Sequence, residues 1–273
     1  LGDIHWAGKK GSTATDTLKR HIDRALGLNA WFIGLGDYID FLSPSNRQRL
    51  RAAALYDTAD DVIEDKALDL VQELYDEFLK PTKGRWLGLL QGHHFANLRS
   101  GETTDQRLCQ MLEATFLGTC AYIRLQFVIS KSTRASVTIW AHHGCGGGMK
   151  TAAPLNKIEN IAPYWDADLF LMGHLTKQAA APINRISPRW NGNGAPDLVH
   201  RKIMLVGCGG FSKGYVERST QGNIPTGTYV EQKLLNPASL GAPIIRIVPK
   251  LDCSGRYESG KGATWAPEIT CEI

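Results

Sequence analysis

Four short apolar runs constrain this chain more than any other feature, because each is four to six residues long and ends at histidine or aspartate beside glycine. Residues 30–35 end at Gly36-Asp37, 86–90 at Gln91-Gly92-His93-His94, 136–141 at His142-His143-Gly144 and 169–172 at Gly173-His174. Runs this short and this apolar suit strands buried on both faces of a parallel or mixed sheet. Stretches of helical periodicity lie between them. Leu18, Ile22, Ala25 and Leu26 share one face of 16–26, which closes at Gly27. Residues 47–79 carry a stripe of Val62, Leu68, Leu70, Val71, Leu74 and Phe78, closed by Pro81, and read as two helices. Residues 105–116 and 154–162 read as further helices. The alternation predicts the α/β class.

The second half is less regular. Residues 122–129, 136–141, 202–206 and 244–248 read as strands separated by loops rich in Gly, Pro and Asn, and this mixed spacing predicts two sheets rather than one doubly wound sheet. Residues 250–273 are polar and punctuated by glycine, which suits a loose hairpin or tail. At 273 residues, without internal repeat or clear linker, the chain reads as one domain over 1–249 with a helical insertion at about 45–80, followed by an extension over 250–273. Leu1-Gly2-Asp3-Ile4-His5 reads as the end of a strand, with the residues before it missing.

Hydrophobic residues make up 43% and charged ones 21%, which excludes disordered, collagen-like and coiled-coil chains. No apolar run approaches the roughly 18 residues of a membrane span, and no signal peptide is legible, so no membrane partner and a cytoplasmic location are expected. Oligomeric state is not legible. Cysteines at 109, 120, 145, 208, 253 and 271 form no Cys-x-x-Cys pair and read as reduced, mostly buried thiols. The net charge of +4, from 31 Lys and Arg against 27 Asp and Glu, permits an anionic substrate without requiring one.

Histidine is the informative residue. Only eight are present, yet four form the adjacent pairs His93-His94 and His142-His143, and His5 and His174 sit in similar strand-end motifs. Ligand crevices of open α/β sheets lie outside the carboxyl ends of the strands, so groups spread over the sequence can converge there. Asp3, His5, Asp37, Asp40, His93, His94, His143 and His174 are the candidates. Mixed carboxylate and imidazole ligands suit Mn, Fe or Zn, whereas Mg or Ca prefers oxygen alone.

In order, Asp3-Ile4-His5, Gly36-Asp37-Tyr38-Ile39-Asp40, Gly92-His93-His94, His143-Gly144 and Gly173-His174-Leu175-Thr176 resemble the calcineurin-like metallophosphoesterase superfamily. The resemblance implies a four-layer α/β/β/α sandwich with two mixed sheets and two divalent metal ions. It implies that Asp3 and His5 bind the first metal, Asp37 bridges both, and His143 and His174 bind the second. It further implies that His94 protonates the leaving oxygen and that Asp40 orients His94. The activity implied is hydrolysis of a phosphoester by water activated between metals.

Three positions depart from the family pattern. His93 replaces the expected Asn ligand and, as imidazole, shifts preference toward Zn or Fe. Thr176 replaces the last histidine of Gly-His-x-His and leaves the first metal short of a ligand, a gap that water, substrate or Gln178 would fill. Phe41 replaces the arginine with which protein phosphatases clamp phosphate. The expected substrate is therefore a phosphodiester or a nuclease-like one, with a nucleotide or nucleic acid as partner. A phosphomonoester, a metal-binding scaffold impaired by Thr176, and a dinuclear hydrolase of amides or thioesters are the alternatives. Arg47, Arg49 and Arg51 read either as trackers of a phosphate backbone or as a solvated helix face. Trp6, Phe41 and Phe95 could stack a base. His142 reads as structural, His21 and His200 as surface residues, and Cys145 as a small packed residue. Gly207-Cys208-Gly209-Gly210-Phe211 reads as a strand-ending turn, with Tyr215 a candidate substrate contact.

Overall fold

The computed structural model describes residues 1–9, 11–53, 56–190, 194–219, 227–252 and 264–273. The chain runs through α1 (Thr15–Gly27), β1 (Phe32–Gly34), α2 (Pro44–Ala53), α3 (Asp57–Leu74), β2 (Trp86–Leu89), α4 (Thr104–Leu112), β3 (Cys120–Val128) and β4 (Arg134–His142). It continues through α5 (Ala153–Ile161), β5 (Leu169–Met172), β6 (Gln178–Arg189), β7 (Asp197–Cys208), the single turn α6 (Tyr229–Gln232), β8 (Ile244–Asp252) and β9 (Thr264–Glu272). A mixed five-stranded sheet in the order β3-β4-β5-β7-β6 dominates this α/β structure; β1 and β2 form a separate parallel pair, and β8 and β9 an antiparallel hairpin.

Period-two patterning explains how the large sheet is covered. Val137, Ile139 and Ala141 of β4, Leu169 and Leu171 of β5, and Met204 and Val206 of β7 join one core with Leu35, Leu90 and the hairpin residues Ile245, Ile247 and Ile269. Their neighbours Trp140, Phe170, Met172, Ile203 and Leu205 point the other way and pack with Ile158 of α5. A third core gathers Leu18 and Ile22 of α1, Leu70 and Leu74 of α3, and Leu108 and Leu112 of α4 around Phe32, Trp86 and Leu89.

Several expectations need correction. Val62 is 68% exposed and does not belong to the stripe of α3, although Leu70, Val71, Leu74 and Phe78 are buried. The helix expected over 105–116 stops at Leu112, because Glu113 adopts a left-handed φ of 55°. Residues 178–189 form a twelve-residue strand, β6, that the sequence did not suggest because Pro182 and Pro188 interrupt it. Proline is tolerated there because β6 is the edge strand, with one side free of the ladder. The extension does not form a loose hairpin of its own: its strand β9 pairs antiparallel with β8, most of which precedes residue 250, from Ile244↔Glu272 to Asp252↔Thr264. Among the described residues, no helix is long and apolar enough to cross a membrane.

Candidate metal centre

Parallel pairing brings the motifs together. β1 and β2 run side by side with Gly34 opposite Leu89, so Gly36-Asp37 and Gly92-His93-His94 emerge at the same end. In the large sheet, β4 and β5 pair in parallel with His142 opposite Met172, which places His143-Gly144 beside Gly173-His174. The opening segment lies alongside 35–38 through Asp3 N–H to Gly36 O (2.9 Å), His5 N–H to Asp37 O (3.0 Å) and Trp6 N–H to Tyr38 O (3.0 Å). Phe211 N–H donates to Asp3 O at 2.8 Å, so the turn after β7 backs the same segment.

Asp37 stands at the centre. Its Oδ1 accepts the backbone N–H groups of His93 and of His94, the latter at 2.9 Å. That leaves Oδ2 facing two imidazoles, 3.3 Å from His143 Nε2 and 3.7 Å from His5 Nε2. Gly92 is required for this approach: a Cβ there would lie 2.0 Å from Asp37 N and 2.2 Å from its Oδ1. Two groups of donor atoms share Asp37, each lying within 4.8 Å: Asp37 with His93, His143 and His174, and Asp37 with His5 and His94.

Asp3 sits beside the second group. Its Oδ2 accepts the His174 N–H at 2.8 Å, while Oδ1 lies 3.8 Å from His5 Nε2. Asp3 Oδ1 and His143 Nε2 are buried without a hydrogen-bond partner, a condition that native structures rarely leave unanswered. His143 Nε2 faces Asp37 Oδ2 and Asp3 Oδ1 faces His5 Nε2, and orphaned atoms at the edge of the two donor groups around Asp37 fit a divalent cation that those groups could hold.

The backbone is distorted where the donors lie. Nine non-glycine residues have positive φ among the described residues, and five of them are Asp3, His5, Asp37, His174 and Thr176. A left-handed conformation costs an L-residue roughly 1–2 kcal/mol. Strain that clusters at one place marks a site whose geometry the surrounding fold enforces.

The imidazoles fall into two electrostatic classes. Burial opposes protonation of His5 and His143, but the Asp3 and Asp37 carboxylates outweigh it and push each up to about 9. Burial and the neighbouring histidines His143 and His174 lower His93 to about 4, and burial with His143 lowers His174. Asp37 is held well below the usual carboxylate range: burial opposes this, but the close contact with His143 and the charges of His143, His5 and His94 prevail. A carboxylate already ionised and two imidazoles already neutral are ready donors.

Beside this cluster His94 Nδ1 lies 2.8 Å from Asp40 Oδ1, and the His94 ring meets that of His5 edge to face at 4.8 Å. All eight sequence candidates therefore converge. The structure groups His94 with His5 and Asp37 among the donors, a placement the sequence reading gave only to proton transfer. The Thr176 methyl faces Gly210 and its carbonyl accepts Ser239 N–H at 2.9 Å. Gln178 packs toward Gly209 and Gly241.

Other residues fall elsewhere than expected. Trp6 is 1% exposed and packs on Phe78, so it cannot stack a base. The face of Phe95 is covered by the Arg47 guanidinium, 3.8 Å from the ring centroid. Phe41 packs against the core. Arg47 turns inward while Arg49 is exposed; the Arg51 side chain lies outside the described residues. His21 is half-buried against Phe211, and burial lowers it to about 4, whereas His200, within β7, is an exposed surface residue as expected. Cys145 is exposed rather than packed, and Cys253 lies outside the described residues. His142 is structural, as expected: Nδ1 accepts Gly144 N–H at 2.7 Å and the ring stacks on Trp140. Tyr215 donates to Leu235 O at 2.8 Å. Sequence reasoning also missed Asp105, buried at the start of α4, whose Oδ2 accepts Gly92 N–H at 2.9 Å; the capping box Thr103/Gln106 was the available signal. No family model, curated protein or solved structure matches the chain.

Proposed function

We propose that the chain is a metal-dependent phosphoester hydrolase of the calcineurin-like metallophosphoesterase kind, with the four-layer sandwich of that superfamily, acting on a phosphodiester. The observation that carries the reading is the division of Asp37, with Oδ1 fixed by the His93 and His94 N–H groups and Oδ2 turned between His5 and His143. One carboxylate shared by two donor groups suits a pair of divalent ions, of which Mn, Fe and Zn match the mixed ligands.

Asp37, His93, His143 and His174 would hold one ion, and His5 and Asp37 with Asp3 the other. Bound cations supply an acidified water as nucleophile and neutralise the phosphoryl oxygens. The chain's own residues do the rest. Asp40 accepts a hydrogen bond from His94 Nδ1, which fixes the ring and leaves Nε2 to deliver a proton to the departing oxygen. Burial would raise the Asp40 carboxyl, but the His94 hydrogen bond and the His5 and His94 charges hold it low, so it stays an acceptor. The strained backbone at Asp3, His5, Asp37 and His174 keeps the donors in place before substrate arrives.

The test is metal analysis followed by assays with bis-p-nitrophenyl phosphate, p-nitrophenyl phosphate and single-stranded DNA after Mn reconstitution. Diester turnover that tracks metal content is expected. Bound metal without turnover of any ester would make the chain a metal-binding scaffold, and failure to bind metal would overturn the reading.

A further inference from the structure

We infer that Arg47 is a positioning residue that clamps together the two loops bearing His94 and Asp40; the inference rests on the functional reading above for the meaning of that pair. Arg47 lies in the first turn of α2, its N–H bonded to Ser43 O at 3.0 Å. Its Nη1 reaches three backbone carbonyls: Leu42 O at 2.5 Å, His93 O at 2.6 Å and Phe95 O at 2.9 Å. His93 and Phe95 flank His94, and Leu42 follows Asp40 by two residues. One guanidinium thus ties both sides of the His94–Asp40 hydrogen bond, and its plane lies over the Phe95 ring.

Arginine suits this task because the two hydrogens of one guanidinium nitrogen can be shared among the three carbonyls while the charged plane stacks on an aromatic face. A phosphate-tracking role would need an outward side chain. Arg47 is instead half-buried, and Arg49, two positions along α2 and therefore on another face, carries the exposure. His94 N–H is already fixed by Asp37 Oδ1. With carbonyls held on either side as well, the ring has little freedom to leave Asp40. Such outer contacts commonly change activity about 10–100-fold when lost.

The variants Arg47→Met, Arg47→Lys and Arg49→Met test the clamp. Arg47→Met should lower kcat on a diester with an alkoxide leaving group about 10–100-fold, with a smaller loss on bis-p-nitrophenyl phosphate and with KM and metal content unchanged. Arg47→Lys, which keeps a cation able to donate to the carbonyls, should recover part of the loss. Arg49→Met should behave as the parent chain. Equal losses on both esters, or loss of metal, would make Arg47 merely structural and overturn the proposal. Amide hydrogen exchange of metal-free protein supplies a reading independent of substrate: residues 40–43 and 93–96 should exchange faster in Arg47→Met while α4 does not. If the parent chain hydrolyses neither ester, the functional reading fails, but selective faster exchange still supports the clamp and unchanged exchange overturns it.

Discussion

His143 Nε2 lies 3.3 Å from Asp37 Oδ2 while the Nδ1–H of the same ring donates to Leu35 O at 2.6 Å. With Nδ1 committed as donor, a neutral ring would present a lone pair to a carboxylate, so the metal-free site prefers the imidazolium. His143 and His5 are each raised to about 9 by the Asp37 and Asp3 carboxylates, against the opposing effect of burial.

A cation must therefore displace those protons. Near neutral pH, metal uptake should release one proton from His143 and one from His5, and affinity should rise with pH until about 9 and then level off. The same shifts mean that the stabilisation of the metal-free fold by these histidines is full below their ordinary value near 6.5 and is lost as pH rises through about 9. Titration calorimetry in buffers of different ionisation enthalpy measures the protons; uptake without release would show that the rings are neutral before binding.

His94 and Asp40 meet at 2.8 Å at the rim of the donor cluster. His94→Ala should depress hydrolysis of alkyl diesters by about 100–10,000-fold, the range for a lost general acid, and that of nitrophenyl esters much less, because a phenolate departs without protonation. Asp40→Asn should fall between the parent and His94→Ala. Comparing kcat across leaving groups of graded pKa reads this as a steeper dependence in the variants; an unchanged slope would remove His94 from proton transfer.

How much of this was legible in the sequence follows from which interactions are local. Runs such as 169–172, apolar in every position and closed by Gly173-His174, state both strand and strand end, and the parallel rule then brings their tips together. Edge strand β6 was hidden because Pro182 and Pro188 are tolerated only by virtue of its place in the sheet, which no local pattern states. Arg47 and Arg49 look alike in sequence; only the position of the 93–95 loop decides which turns inward. Trp6 looked available beside a metal motif, yet the α1 and α3 layer buries it. Whether His94 lies among the donors or beside them depends on distances across three chain segments.

Gly92→Ala should disable the site. A methyl at Gly92 would press on Asp37 N and Oδ1 at 2.0 and 2.2 Å, and neither the backbone nor a carboxylate held by two N–H groups can retreat. Overpacking of this kind costs about 1–3 kcal/mol or more, and here it also displaces the shared ligand. Urea unfolding should show the stability loss and metal titration a weakened affinity; parental values in both would show that the loop relaxes.

Asp105 provides a pH signature separate from the ligands. Its carboxyl is 2% exposed, and burial, reinforced by the Asp37 charge, pushes it up to about 7, although the Gly92 N–H hydrogen bond opposes this. An acid whose folded value exceeds its unfolded one holds its proton more tightly in the folded state. Its contribution is full below about 4 and is lost as pH rises through about 7, with a slope approaching roughly 1.4 kcal/mol per pH unit between them. Asp105→Asn keeps an oxygen to accept the Gly92 N–H but carries no charge. Relative to the variant, the metal-free parent should lose stability steadily from pH 4 to 7 and run parallel to it above. Chemical denaturation of both chains across that window makes the comparison, in which the common titrations of the histidines cancel. A constant difference would mean that Asp105 keeps an ordinary carboxylate value despite its burial.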